Sequence, residues 1–210
     1  MLQQHHTTAA NVLRRPFPCV GFRGCDDGGV TAHVGADSGE VWYFAYGSNM
    51  SPAIFLERRG MRPRATRCGR LDGHRLRFTL PVGPAERGVA NLEVDEASAV
   101  WGVLYLVTPQ ELDRLDRTEG VDRGFYRRIP VEVVSDGDER VRAYTYFSPF
   151  AVAGRKPSPR YVGLILEGAR RHGLPAEYIY ALEALELAVD ERVGEAQPAV
   201  EPSAEPIRRA

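Results

Sequence analysis

The chain has 210 residues, 43% of them hydrophobic, with 27 basic and 28 acidic side chains and a formal charge of −1. That length suits one core of good size, and the near-neutral balance excludes a global field that would draw in nucleic acid or an acidic membrane surface. No apolar run approaches the length of a membrane span. Three cysteines cannot build a disulfide framework and the N-terminus lacks the basic-then-apolar layout of a secretory signal, so a cytoplasmic protein is expected.

Residues 1–40 are rich in Thr, Ala, Gly, Asp and His without a sustained period, and read as a disordered extension. Cys19 and Cys25 lie there with His5, His6 and His33, at spacings that match no zinc pattern, so no metal is expected. Lys156 is the only lysine, and arginine is scattered along the chain as if by coding bias. Arg14-Arg15, Arg58-Arg59 and Arg170-Arg171 therefore read as solvated surface.

A block over residues 41–190 follows, opening on the strand Trp42–Tyr46. Ser51–Arg59 reads as a short helix with Ser51 as N-cap and Pro52 at its first position. Thr66–Leu71 and Arg75–Leu80 read as strands around an Asp72-Gly73 turn, followed by strands Val89–Glu93 and Val100–Val107. Thr108-Pro109-Gln110-Glu111 is a capping box that starts a helix running to about Thr118. Tyr126–Val134 and Val141–Phe147 pair across Asp136-Gly137. Ser158 caps a longer helix ending at Gly173, and Pro175 starts a last one carrying Tyr178, Leu182 and Leu185. Residues 191–210, alternating Glu, Pro and Ala, read as a disordered tail. Many short strands without a βαβ alternation predict an α+β fold with a curled or barrel-like sheet.

Two features point to chemistry. The strand ending at Tyr46 runs into Gly47-Ser48-Asn49-Met50, a turn whose backbone N–H groups can face a carboxylate or a developing oxyanion. Leu112, Leu115 and Glu119 are spaced i, i+3, i+7 on one helical face, so an acid continues an apolar stripe just before the expected cap Gly120. Such an acid is either frayed into solvent or held in a pocket, where it could move protons.

Tyr46-Gly47-Ser48-Asn49, Val100-Trp101-Gly102-Val103 and Leu115-Asp116-Arg117-Thr118-Glu119-Gly120-Val121 resemble the γ-glutamylcyclotransferase family, in that order. So do Gly124-Phe125-Tyr126, Ser158-Pro159-Arg160-Tyr161 and Gly173-Leu174-Pro175-Ala176-Glu177-Tyr178. The match runs from about Trp42 to Leu187; Asp72 to Arg87 departs from it. The resemblance implies a small mixed β-barrel with a few flanking helices and a cofactor-free cyclisation. In that reaction a γ-glutamyl substrate's own α-amine attacks its γ-carbonyl, giving 5-oxoproline and a free amine. Holding amine and carbonyl in a near-attack pose draws on effective molarities of about 10⁵–10⁸ M.

Carried over residue by residue, the resemblance implies Glu119 as the proton shuttle, with Tyr46, Gly47, Ser48, Asn49, Met50, Tyr126, Tyr144 and Tyr161 around the substrate. The loop amides would hold either the γ-carbonyl oxygen or the α-carboxylate. Branches acting on glutathione or on γ-glutamylamines carry Tyr-Gly-Ser-Leu or Tyr-Gly-Thr-Leu, so Asn49 places the chain nearer the branch acting on γ-glutamyl amino acids. Two alternatives stay open: removal of γ-glutamyl from a larger amine or carrier, and a non-catalytic module that binds a small acid. The partner implied is a small γ-glutamyl compound, and a homodimer is an assembly the resemblance allows.

Overall fold

The computed structural model describes residues 39–83 and 85–189. The extension over residues 1–38, with Cys19, Cys25, His5, His6 and His33, and the tail over residues 191–210 lie outside the described residues. Five strands close into a barrel: β1 (Val41–Ala45), β2 (Ala65–Pro81), β3 (Gly88–Val107), β4 (Arg127–Ser135) and β5 (Arg140–Phe147), in the order β1-β3-β2-β4-β5. All neighbours are antiparallel except β5 and β1, which close the barrel in parallel through Trp42↔Ala143 and Tyr43↔Tyr144. Closure removes the sheet edges that would otherwise offer unpaired backbone.

Two pairs of expected strands are continuous. Asp72-Gly73 is not a hairpin turn: β2 runs through it, and the register against β3 shifts between Asp72↔Ala99 and His74↔Val94. The extra residues belong to β3, where Asp95 receives the Ala97 N–H and the Ser98 hydroxyl in a local turn. The result is one long β2–β3 hairpin that carries Ala90 and Phe78 towards the loop after β1.

Three helices flank the barrel: α1 (Pro109–Glu119), α2 (Pro159–Arg171) and α3 (Ala176–Glu183). The capping box at the start of α1 is complete, with Thr108 accepting the Glu111 N–H and Glu111 accepting the Thr108 N–H. Gly120 closes α1 at φ 69°, a left-handed cap that glycine adopts without Cβ strain. Ser158 caps α2 by accepting the Tyr161 N–H.

The helix expected over Ser51–Arg59 is a π-helical turn, Ala53–Arg58, preceded by a 3-10 turn at Ser48–Met50. Ser51 does not cap it. Its hydroxyl instead donates to Glu167 Oε2 on α2 at 2.7 Å. Next to this contact the α2 backbone comes so close that a Cβ on Gly168 would stand 2.4 Å from the Met50 carbonyl carbon. The loop after β1 is thereby clamped between barrel and helix.

Beneath the loop, buried rings run in a row. Tyr146 and Tyr43 lie 5.6 Å apart, Tyr43 and Phe55 5.8 Å, and Phe55 and Tyr105 4.1 Å, with His172 at the end. The Tyr105 hydroxyl bridges the Met50 carbonyl and His172 Nε2, and burial pulls the His172 pKa below its ordinary value. Fully buried aromatics of this size dominate packing energetics, so the floor of the loop is built to stay still.

Candidate active site

β1 leaves its ladder at Ala45↔Val103, and the chain turns at Gly47–Met50 over the barrel mouth. The end of α1 approaches from one side and the start of α2 from the other. Together they enclose a pocket whose wall includes Gly47, Ser48, Asn49, Glu119, Tyr126 and Tyr161, with Tyr43, Tyr46 and Ala90 behind them. Seven of the nine residues carried over from the sequence resemblance therefore meet in one place.

Glu119 is held in the pocket, not frayed from the last turn. Its Oε1 accepts Asn49 Nδ2 at 3.0 Å and pairs with Arg59 Nη2 at 2.9 Å, with side-chain exposures of 13% for Glu119 and 17% for Arg59. Among the described residues no hydrogen bond engages Oε2, so one carboxylate oxygen is fixed and the other is open to a ligand. Arg59 also donates to Thr118 Oγ1, itself bonded to the Leu115 carbonyl, which ties the guanidinium to the end of α1.

Arg59 is thus no solvated surface residue, as its place in a scattered arginine population suggested. The only signal available in the sequence was its position one short turn beyond the Gly-Ser-Asn loop. The tertiary approach of α1 was needed to give that position meaning.

Asn49 lines the pocket and also ties its groups together. Its side chain is 6% exposed and links two groups, donating to the Tyr43 hydroxyl at 2.7 Å as well as to Glu119. Tyr43 is a second residue that sequence reasoning passed over, because a tyrosine inside an apolar strand reads as core. Burial and the Glu119 charge both push its phenol far above the ordinary range, so it stays protonated.

The other tyrosines divide by what their hydroxyls touch. Tyr46 donates to the Tyr146 carbonyl at 2.6 Å, and Tyr126 donates to the Ala90 carbonyl at 3.0 Å. Tyr161 accepts the Ala90 N–H at 3.1 Å and faces both the amide and the hydroxyl of Ser48. A Cβ on Gly47 would come within 3.1 Å of the Tyr161 hydroxyl and of Ala90, so the loop backbone lies against the pocket wall without room for a side chain. Burial raises the pKa of Tyr46, Tyr126 and Tyr161 alike, which keeps the pocket lined by neutral phenols.

Two of the expected residues lie elsewhere. Met50 is fully buried beneath the loop, packed on Gly168, and does not line the pocket. Tyr144 sits in mid-strand on the outer face of β5, 37% exposed and stacked under Arg128, because Val141, Ala143 and Thr145 take the inward positions of the alternation. Among the described residues no group of three or more His, Cys, Asp or Glu could hold a metal ion, and no helix is long and apolar enough to cross a membrane.

Comparison with known proteins agrees with this geometry. The family model described as AIG2-like matches residues 99–182, which include Glu119, Tyr126 and Tyr161. Human γ-glutamylcyclotransferase is 34% identical over 170 residues, spanning 78% of this chain and 85% of the human protein. The mouse protein of the same name is 33% identical, spanning 73% and 83%. A solved γ-glutamyl cyclotransferase structure superposes with a TM-score of 0.62 at 28% identity, covering 74% of this chain and 96% of its own. Sequence relatives and fold converge on the same enzymes: the chain belongs to the γ-glutamylcyclotransferase family.

Proposed function

We propose that this protein cyclises a γ-glutamyl amino acid to 5-oxoproline and releases the free amino acid. The observation that carries the reading is the Glu119 carboxylate in the pocket wall, with Oε1 anchored by Asn49 and Arg59 and Oε2 without a hydrogen bond among the described residues. Cyclisation needs two proton movements on one substrate. The α-ammonium must lose a proton before its nitrogen attacks the γ-carbonyl, and the leaving nitrogen must gain one before it departs. A single fixed carboxylate can do both in turn, a contribution of roughly 10²–10⁴-fold.

The rest of the pocket supports binding. We assign the substrate's α-carboxylate to the Gly47–Ser48 backbone and the Tyr161 hydroxyl, neutral pocket groups that make no hydrogen bond to Glu119 among the described residues. Separating the two anions matters, since a carboxylate pressed against Glu119 would be repelled. Tyr46 and Tyr126, whose hydroxyls are already engaged by backbone carbonyls, serve as a shaped wall. Asn49 fits a γ-glutamyl amino acid reading because its side chain is part of the Glu119 mount, a role that a leucine at this position could not fill. We place the reaction in the cytoplasm, on the strength of a cysteine content too low for a disulfide framework.

The test is to supply γ-glutamyl-alanine to the purified chain and follow 5-oxoproline and alanine. The expected result is equimolar release of both. Release of 5-oxoproline only from bulky γ-glutamyl amides would transfer the reaction to a larger acceptor, and binding without turnover would reduce the site to a small-acid receptor.

A further inference from the structure

Among the described residues the hydrogen bonds of the pocket leave two phenol hydrogens without an acceptor, that of Tyr161, which accepts the Ala90 N–H and faces Ser48, and that of Tyr43 beside Asn49. The Tyr46, Tyr126 and Tyr146 hydroxyls give their hydrogens to the protein itself, to the Tyr146 carbonyl, the Ala90 carbonyl and Asp116 Oδ1 respectively. Tyr43 does not. Its oxygen accepts from Asn49 at 2.7 Å, and the orientation of that amide is fixed by its other contact: the atom lying 3.0 Å from the Glu119 carboxylate must be the nitrogen. The Tyr43 hydroxyl is therefore an acceptor towards Asn49, and among the described residues its own hydrogen has no acceptor. The ring is 3% exposed, is stacked on Phe55 with Tyr146 tilted against it, and lines the pocket. A buried hydroxyl held this firmly with its donor unengaged is matched to a ligand acceptor.

We propose that Tyr43 is a catalytic residue whose hydroxyl donates to the γ-carbonyl oxygen of the substrate as negative charge develops on it. This rests on the cyclisation reading. Of the substrate's two kinds of acceptor, the α-carboxylate is repelled from the Glu119 side, where Asn49 joins Tyr43 to Glu119, so the γ-carbonyl is the one that meets Tyr43. When the α-amine nitrogen bonds to the γ-carbon, the carbonyl π pair moves to oxygen and is stabilised by the Tyr43 hydrogen bond. Glu119, already carrying the proton it took from the α-ammonium, gives it to the leaving nitrogen as the carbonyl re-forms and that C–N bond breaks. The restored carboxylate then takes the remaining extra proton from the ring nitrogen and passes it to the released amine. Tyr43 keeps its proton throughout, in line with its buried, strongly protonated phenol.

Tyr43→Phe deletes one oxygen from a stacked ring, so the melting temperature should stay near that of the parent chain. Since the oxyanion exists only in the transition state, kcat on γ-glutamyl-alanine should fall by about 10²–10³-fold with KM little changed. A KM rise at unchanged kcat, or full activity, would overturn the assignment. Tyr43 could instead act only by steadying Asn49, and a double-mutant cycle separates the two. In an Asn49→Ala background a direct donor still costs a large factor when Tyr43→Phe is added, whereas a positioning residue costs nothing further. If Tyr43→Phe fails to fold, Tyr43→Met, which fills the core space without a donor, carries the test: a comparable fall in kcat at unchanged KM supports the donor role, and full kcat sinks it. Failure of the parent chain to make 5-oxoproline from any γ-glutamyl amino acid would sink the cyclisation reading itself, independently of these variants.

Discussion

Two depressions flank β1, and they share its walls. One is the pocket at its C-terminal end, lined by Tyr43 and the Gly47–Asn49 loop. The other is an outer groove lined by Trp42, Val131 and Tyr144 where β1, β4 and β5 run side by side. Both are aromatic, yet only the first is equipped for chemistry. In the groove the backbone is engaged in ladders, through Trp42↔Ala143 and Pro130↔Tyr144, and the charged rim is satisfied by surface ion pairs such as Glu132 with Arg140. In the pocket the ladder has ended at Ala45, so backbone amides, a carboxylate oxygen and a phenol hydrogen are left facing a shared space. Strand ends supply unengaged groups and strand middles do not, whatever aromatic residues they carry.

Glu119→Gln should break this difference most severely. The amide keeps the size of the acid but cannot shuttle a proton, so kcat should fall by about 10²–10⁴-fold while substrate still binds. Steady-state kinetics with a binding titration checks it, and near-parental turnover would move the proton shuttle to another group.

Arg59→Ala should have a smaller effect. It leaves the carboxylate chemically intact but removes one of the two anchors of Oε1. Loss of orientation then lowers kcat by about 10- to 100-fold, with KM altered far less. A pure KM effect would mean that Arg59 meets the substrate directly.

Tyr144→Leu should have almost none. The ring is outside the pocket and half-exposed, and substitutions on such surfaces usually stay within about 0.5 kcal/mol. kcat/KM within about 2-fold of the parent is expected, and a tenfold loss would show that the groove communicates with the pocket.

Much of the arrangement was legible in the sequence because it is encoded locally. The capping box at Thr108 and the glycine cap at Gly120 fix both ends of α1, and the i, i+3, i+7 spacing then delivers Glu119 beside its two buried leucines. The turn at Gly47–Asn49 and the cap at Ser158 were equally local, and the latter places Tyr161 at the pocket. What escaped depends on contacts between distant segments. Asp72-Gly73 looks like a hairpin turn, but the excursion at Asp95–Ser98 in the partner strand absorbs the mismatch. Ser51 has the chemistry of a cap, and Glu167, 116 residues away, takes its hydroxyl. Arg59 was hidden by an arginine-rich composition, Tyr43 by its apolar neighbours. Alternation along β5 does not sort its tyrosines: Tyr144 is exposed, while Tyr146, in the same phase two residues on, is buried and lines the pocket.

The central claim is that the substrate's own amine displaces the leaving group, with no water consumed. Turnover of γ-glutamyl-alanine in ¹⁸O-labelled water, read by mass spectrometry, tests it most directly. The account predicts 5-oxoproline and alanine in equal amounts with no ¹⁸O gained on turnover. Glutamate carrying one ¹⁸O would show hydrolysis and contradict it.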